Sequence, residues 1–295
     1  MMALWDWVIG PFAEFAFMRR ALVATLALAV SAAPLGVFLT LRRMSLLGDA
    51  ISHAVLPGVA IGFMFSGLSL TAMAAGGVIS GMLAAGLAGF ISRFTTLKED
   101  ASLAAIYLLA LALGVTLLSR QGTQLDLLHI LFGSALGVDG AGLLLVVSVA
   151  SVSVIALAAL YRGLVLESFD PVFLAAASGR GWGRRGGIWQ QAFLMLVVVN
   201  LVAGFQTLGT LMAVGLMMLP AVSARLWHDS LSAQLVNASA QATLAGSVGL
   251  LLSYHFDTPS GPTIIGCAGV LYGMSLLVAP GGWLPQALRR PHRVG

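Results

Sequence analysis

Apolar stretches long enough to cross a lipid bilayer follow one another along most of the chain. A membrane-spanning helix needs about 20 predominantly apolar residues, because the hydrocarbon core is about 30 Å thick and a helix rises about 1.5 Å per residue. Hydrophobic residues make up 59% of the 295 residues and charged residues only 9%, whereas soluble domains carry about 25% charged residues. We therefore predict an all-α, polytopic membrane protein with about eight to nine transmembrane helices in one domain that covers residues 1–295.

Nine segments are candidates for these helices, and eight is the alternative count. The division between the sixth and the seventh segment rests on the turn signal in residues 204–209. The nine segments are 21–41, 50–68, 70–91, 102–119, 140–161, 189–204, 208–227, 235–253 and 262–280.

The basic residues indicate how these segments are oriented. When the nine segments alternate, all but three of the 15 Lys and Arg residues fall on the same side as the carboxyl terminus. Cytoplasmic loops are enriched in Lys and Arg, so we predict that this side is cytoplasmic and that the amino terminus lies outside. The exceptions are Arg19, Arg20 and Arg120, and we interpret the aromatic-rich segment before residue 21 as an interfacial helix on the membrane lipid. The net charge of +4 then reflects topology, and we predict no nucleic-acid partner.

Asp49 and His53 stand four residues apart inside an otherwise apolar segment. On a helix, residues i and i+4 share one face, so both side chains point the same way. A carboxylate and an imidazole together suit a divalent transition metal, and ionisable groups at membrane depth suggest a function. The alternative is that Asp49 caps a helix beginning near Ala50 and that both residues face cytoplasmic water. Two ligands are few for a metal, but two copies around a twofold axis would supply four.

A second notable feature is the long, semi-apolar cytoplasmic segment 163–187. Asp170 followed by Pro171 is typical of a helix N-cap with proline at the first helical position, and Gly179 is typical of a helix end. The sequence therefore predicts a short amphipathic helix that includes Phe173 and Leu174. Such a helix could dock into a partner protein, or it could rest on the lipid headgroups.

The remaining polar residues and motifs give weaker indications. His255 and Asp257, like Asp126, His129 and Asp139, fall in outer loops, where they could assist metal entry or simply form turns. The single cysteine, Cys267, is interpreted as a packing residue. The sequence contains no G-x-x-x-x-G-K-[ST] phosphate loop and no G-x-S-x-G or H-E-x-x-H motif. We therefore predict a chain that is not an enzyme and holds no permanently bound cofactor.

Several segments together resemble the permeases of metal-uptake ABC transporters, the ABC-3 family of zinc, manganese and iron importers. The similarity extends from about residue 15 to 280, and one departure is Gly215-Leu216-Met217-Met218, where we interpret the methionines as packing residues. The matching segments are Arg42–Gly58, Lys98–Ala101, Leu131–Ser134 with Gly137-Val138, Phe169–Pro171 with Ala175-Ala176 and Ser178-Gly179, Gly209–Arg225, and Thr258–Thr263.

The resemblance implies a homodimer or a pair of permeases in the bacterial plasma (inner) membrane. Cytoplasmic ABC ATPase subunits would hydrolyse ATP, and an extracytoplasmic metal-binding protein would deliver the ion as cargo. The pathway pair of the family falls on Asp49 and His53. The resemblance places the ATPase-coupling contacts in 163–187, on Phe169, Asp170, Pro171, Phe173, Leu174, Ala175 and Gly179. A secondary transporter driven by an ion gradient, in which 163–187 is only a linker, and a membrane scaffold without transport remain the alternatives.

Overall fold

The structure, a computed structural model, describes residues 5, 7–67, 69–96, 99–119, 135–169 and 186–285. Two sets of sequence predictions lie outside these residues. The first is the outer segment with Asp126 and His129. The second is most of the coupling segment, namely Asp170, Pro171, Phe173, Leu174, Ala175 and Gly179.

The described part of the chain is helical and contains no strand, as predicted. Its helices are α1 Gly10–Glu14, α2 Ala16–Leu41, α3 Leu47–Ala54, α4 Leu56–Ser66, α5 Leu70–Phe94, α6 Glu99–Ser119, α7 Gly140–Phe169, α8 Gly186–Leu208, α9 Thr210–Trp227, α10 Leu231–His255 and α11 Ser260–Val278, with a short 3-10 turn at Ala135–Gly137.

Eight helices among the described residues are long and apolar enough to cross a membrane. The stacked helices α3 and α4 form one such stretch, Leu47–Ser66, which corresponds to the predicted span 50–68. The apolar part of α6, Ala101–Leu117, is shorter than the others. The predicted count of eight to nine spans is therefore confirmed, and the difference between the two numbers concerns α6.

Contacts between helix ends indicate that α6 also crosses. At one end of the bundle, the side chain of Arg42 contacts Glu167, and Gly281 N–H donates to the carbonyl of Leu226. At the other end, His255 stacks on Trp7. The start of α7 lies at this second end and α5 finishes at the first, which agrees with an α6 that runs from one end to the other. The end of the bundle at which each of these helices finishes agrees with the alternating topology that the basic residues predict.

The turn predicted within 204–209 is confirmed as the boundary between α8 and α9. Gly209 has a φ of 95° and its N–H donates to the carbonyls of Gly204 and Phe205 at 3.1 and 3.2 Å. A residue with a Cβ is strained at this positive φ. Glycine therefore allows one long apolar stretch to fold as two helices.

Helix α4 packs directly on α5 through two glycines. A Cβ added to Gly58 would collide with the backbone carbonyl of Gly76, and a Cβ added to Gly76 would collide with that of Gly58. Small residues let helices approach closely in lipid, where dispersion contacts replace the hydrophobic effect as the attraction. This contact fixes how the Asp49-bearing segment is held against its neighbour.

We expect Gly58→Ala to destabilise the protein by about 1–3 kcal/mol, because the obstructing atoms belong to the backbone and cannot rotate away. A lower apparent Tm of the detergent-solubilised protein, followed by size exclusion after heating, measures the effect. Gly86→Ala is the matched control, since nothing lies within 4 Å of a Cβ added there. Equal melting temperatures for the two variants would contradict the close approach.

A buried polar chain joins three helices of the core. The hydroxyl of Ser31 in α2 donates to Asn200 Oδ1 in α8 at 2.7 Å, and Asn200 Nδ2 donates to Ser153 Oγ in α7 at 2.5 Å. All three side chains are buried. Because each amide or hydroxyl finds a partner, the chain adds specific cross-links to an otherwise apolar bundle.

Candidate metal-binding groove

The Asp49 segment begins with a sharply defined turn after α2. Arg43 has a φ of 59°, its N–H donates to the carbonyl of Thr40, and the N–H of Met44 donates to that of Leu39. This pair of bonds is the Schellman arrangement that satisfies the last carbonyls of a helix. The chain then enters α3 with Met44 and Leu47 buried. The direction of α3 is therefore set by backbone hydrogen bonds and by buried anchors.

Asp49 does not cap α3. The N-cap residue is Leu46, and no side chain makes a capping hydrogen bond there. Asp49 lies in the first turn, where a carboxylate interacts favourably with the helix dipole. The capping alternative raised by the sequence is therefore not what the structure contains, and the Asp49 carboxylate points to solvent with its side chain 62% exposed.

Asp49 and His53 share one face of α3, as their spacing predicts. The distance from His53 Nε2 to Asp49 Oδ1 is 3.8 Å, and the His53 side chain is 25% exposed. The other ring nitrogen, Nδ1, is buried and has no hydrogen-bond partner among the described residues. Nε2 is consequently the nitrogen that faces the carboxylate.

The pair opens into a groove between α3 and α9, with a cavity of about 260 Å³. The sequence segments around Asp49 and after Gly209, which are far apart in the chain, meet here. The lining residues are Asp49, Ser52, His53, Thr210, Leu211, Val214 and Gly215.

Close packing at two glycines positions the helices that form the groove. A Cβ on Gly48 would lie 2.5 Å from the Cε of Met217, so the interior face of α3 rests on that methionine. Met217 is fully buried. This agrees with the interpretation of the methionines as packing residues. Gly215 also lines the groove, but a Cβ added to it would collide with the Cδ1 of Ile265, so this glycine allows α9 to pack closely on α11.

Sequence reasoning did not single out Tyr107, Ser52 or Thr210. Tyr107 of α6 lies beside His53, with ring centroids 6.1 Å apart and planes inclined by 30°. The Ser52 hydroxyl donates to the backbone carbonyl of Asp49 at 2.7 Å. Ser52 stands between the predicted pair in sequence and is the one of the three that local spacing could have indicated. Tyr107 and Thr210 reach the site only through tertiary packing.

No group of three or more His, Cys, Asp or Glu side chains that could hold a metal occurs in the described part of the chain. The groove thus offers one carboxylate and one imidazole, with hydroxyls nearby. This arrangement can bind a divalent ion weakly from one copy, and a second copy would be needed to complete a four-ligand set.

Two of the polar residues predicted in outer loops, His255 and Asp139, have structural partners. His255 stacks on Trp7 with centroids 4.4 Å apart, and its Nε2 lies 2.8 Å from the Trp7 carbonyl oxygen. Asp139 Oδ1 accepts a hydrogen bond from Gly142 N–H at 2.7 Å at the start of α7. These contacts match the turn interpretation of the two loops, and they tie the aromatic amino-terminal segment to the α10–α11 turn.

Of the predicted coupling residues, only Phe169 falls within the described structure. It is the last residue of α7, and 64% of its surface is exposed. It lies at the bundle end that carries Arg42 and Glu167. Helix α7 therefore ends on the side predicted to be cytoplasmic.

A bundle of apolar helices with a carboxylate and an imidazole facing a groove, in a chain without catalytic motifs, belongs to the class of multi-pass membrane permeases. The chain belongs to the ABC 3 transport family, whose sequence profile matches residues 14–279.

Relatives with established names support this assignment. The chain is 33% identical over 272 residues to the manganese import system permease protein ScaB of Streptococcus parasanguinis, covering 92% of this chain and 94% of that protein. It is 32% identical to the manganese transport system membrane protein MntC of Listeria monocytogenes, covering 90% and 92%. It is 30% identical to a probable iron transport system membrane protein of Haemophilus influenzae, covering 89% and 93%.

Solved structures show the same architecture. A chain of PsaBC from Streptococcus pneumoniae, solved in complex with Fab, superposes with a TM-score of 0.81 at 30% identity, covering 98% of this chain and 100% of that one. An inward-facing metal-chelate type ABC transporter described as putative superposes with a TM-score of 0.65 at 17% identity, covering 87% and 84%. The second likeness concerns the fold alone.

Proposed function

We propose that this chain is the membrane-spanning permease subunit of an ATP-driven importer of a divalent transition metal, with manganese as the first candidate and iron and zinc as the alternatives. The observation that carries the proposal is the Asp49–His53 pair in the α3–α9 groove. Membership in the ABC 3 transport family and the names of the manganese relatives support it.

The geometry of the pair suits a metal in transit. Bonds from a transition metal to oxygen and nitrogen ligands are about 2.0–2.2 Å long, so two ligands of one tetrahedral ion lie about 3.3–3.6 Å apart. The 3.8 Å separation of Nε2 and Oδ1 is slightly longer than this, so a small movement of either side chain would let one ion bind both atoms. The exposed carboxylate attracts the cation, and the imidazole favours a transition metal over calcium or magnesium.

In this class of importer, different subunits carry out transport and ATP hydrolysis, and this indicates which partners the chain has. This chain has no phosphate loop, so ATP hydrolysis falls to cytoplasmic ATPase subunits that contact segment 163–187. A second copy of the chain would face the first across the groove and double the ligands. An extracytoplasmic metal-binding protein would load the ion, and the complex would lie in the bacterial plasma (inner) membrane. The ion is cargo, and no cofactor is retained.

Metal uptake by vesicles that hold the full complex tests the proposal. We expect Mn²⁺ uptake to require ATP and to stop when the Walker lysine of the partner ATPase is replaced. Competition by Zn²⁺ and Fe²⁺ then ranks the three ions, because ligand type alone does not select among them. A secondary transporter would instead take up Mn²⁺ as the isolated chain under a proton gradient, and that result would overturn the ATP-driven proposal.

A further inference from the structure

Arg42 connects three helices at the end of the bundle predicted to be cytoplasmic. Its Nη2 donates to Glu167 Oε2 at 2.8 Å, and its Nε donates to Ser168 Oγ at 3.1 Å. Its Cζ lies 4.7 Å from the centroid of the Phe193 ring. The side chains of Arg42 and Glu167 are only 11% and 13% exposed. One guanidinium therefore contacts both the last turn of α7 and a face of α8.

Helices α7 and α8 flank the predicted coupling segment, and we call their ends next to this segment its roots. Glu167 and Ser168 lie at the end of α7, immediately before residues 170–185, and Phe193 lies in α8, which follows them. Gly163 and Trp189 pack so closely that a Cβ on Gly163 would lie 2.6 Å from the indole ring. The roots therefore form one packed unit, and Arg42 is inserted against it.

After Arg42, the chain continues through a short turn into α3, the helix that carries Asp49 and His53. The Schellman turn fixes Arg43 and Met44 by backbone hydrogen bonds, and Leu47 begins α3 as a buried residue. Asp49 follows two residues later. A displacement of Arg42 is thus passed to α3 through a short turn that has no unconstrained segment.

The chemistry of the pair suits orientation more than stability. A buried ion pair gains little over an apolar replacement, since desolvation offsets the attraction, but loss of one partner leaves an uncompensated buried charge. The planar fork of an arginine also fixes direction in a way that a flexible ammonium does not. We therefore expect the position of the Arg42 guanidinium to change together with that of Glu167 when the end of α7 moves.

We propose that Arg42 is a positioning residue that couples movement of the α7–α8 roots to the helix that carries Asp49 and His53. The inference rests on the proposed function, because it requires an ATPase that moves segment 163–187. Arg42 touches no transported ion. It acts by tilting α3, and with it the two ligands, when the roots shift.

The test is the ratio of Mn²⁺ transported to ATP hydrolysed by the full complex in vesicles. We expect Arg42→Gln to lower this ratio by about tenfold, within the range that interrupted coupling contacts produce, while assembly with the ATPase and ATP hydrolysis persist. Arg42→Lys, which keeps the charge but loses the fork, should give an intermediate ratio. Arg43→Gln is the matched control, because Arg43 is exposed and forms no ion pair with any described residue.

Glu167→Gln provides an independent arm if Arg42→Gln assembles poorly. It should lower the ratio similarly, and the double variant should be no worse than either single one, because both changes remove the same contact. Unchanged ratios in both single variants, or losses that simply add, would overturn the coupling role. A wild-type complex that takes up no Mn²⁺ with ATP would instead overturn the proposed function, and this inference with it.

Discussion

Asp49→Asn should reduce Mn²⁺ uptake by at least about tenfold, because even outer-shell changes cost metal sites about 10–100-fold in affinity or activity. The substitution keeps the size of the side chain but removes the negative charge that attracts the cation. Because Asp49 makes no capping hydrogen bond, the substitution removes only its interaction with the helix dipole, about 0.3–1 kcal/mol, so the fold of α3 should be unaffected. Uptake of Mn²⁺ by vesicles holding the full complex, at matched expression and assembly, measures the effect.

The same uptake assay tests the second ligand, His53. His53→Ala should also abolish most uptake, because it removes the imidazole that lines the groove. Asp257→Asn is the matched control, since Asp257 is an exposed carboxylate in the outer turn and its φ of 48° suits asparagine. Normal uptake by both Asp49→Asn and His53→Ala would eliminate the pathway role of the pair.

The double substitution Phe173→Asp and Leu174→Asp should release the ATPase from the permease while the transmembrane helices remain folded. The prediction comes from the semi-apolar character of segment 163–187 on the basic side of the chain, where charges placed in an apolar contact cost several kcal/mol. Co-purification of the ATPase with the tagged permease in detergent measures the association.

Phe256→Asp is the control for this experiment. Phe256 is 68% exposed and lies at the opposite end of the bundle, beside His255. Its replacement introduces a charge of the same sign without touching the proposed docking segment, so ATPase retention should be normal. Wild-type retention by the Phe173/Leu174 variant would mean that this segment is not the docking site.

The helical composition and most helix positions could be predicted from the sequence, since apolar length alone decides which segments can lie in lipid. The boundary at Gly209 was also predictable, because a glycine at positive φ is a local property. The span count from sequence depended on the division between the sixth and the seventh segment, whereas in the structure it depends on α6, whose apolar part is short. Its crossing follows only from contacts between the ends of other helices.

The pairing of Asp49 with His53 was likewise local, because helical periodicity places residues i and i+4 together. Sequence spacing could not identify Tyr107 beside His53, or Thr210 across the groove. From sequence, Arg42 was one of the basic residues that indicate topology and the first residue of the Arg42–Gly58 segment of the resemblance, and neither interpretation indicated its partners. Its contacts with Glu167, Ser168 and Phe193 span more than 120 positions of the chain.

The sequence by itself determined what is set by hydrophobic length and helical period, namely a multi-pass helical protein with a carboxylate and an imidazole on one helix face, and its charge bias predicts the orientation. The tertiary structure decided which elements meet. It brought α9 against α3 to form the groove, α6 against His53, and the end of α7 against Arg42. The physical reason is that periodicity acts over a few residues, whereas a groove forms from close packing between helices that are distant in the chain.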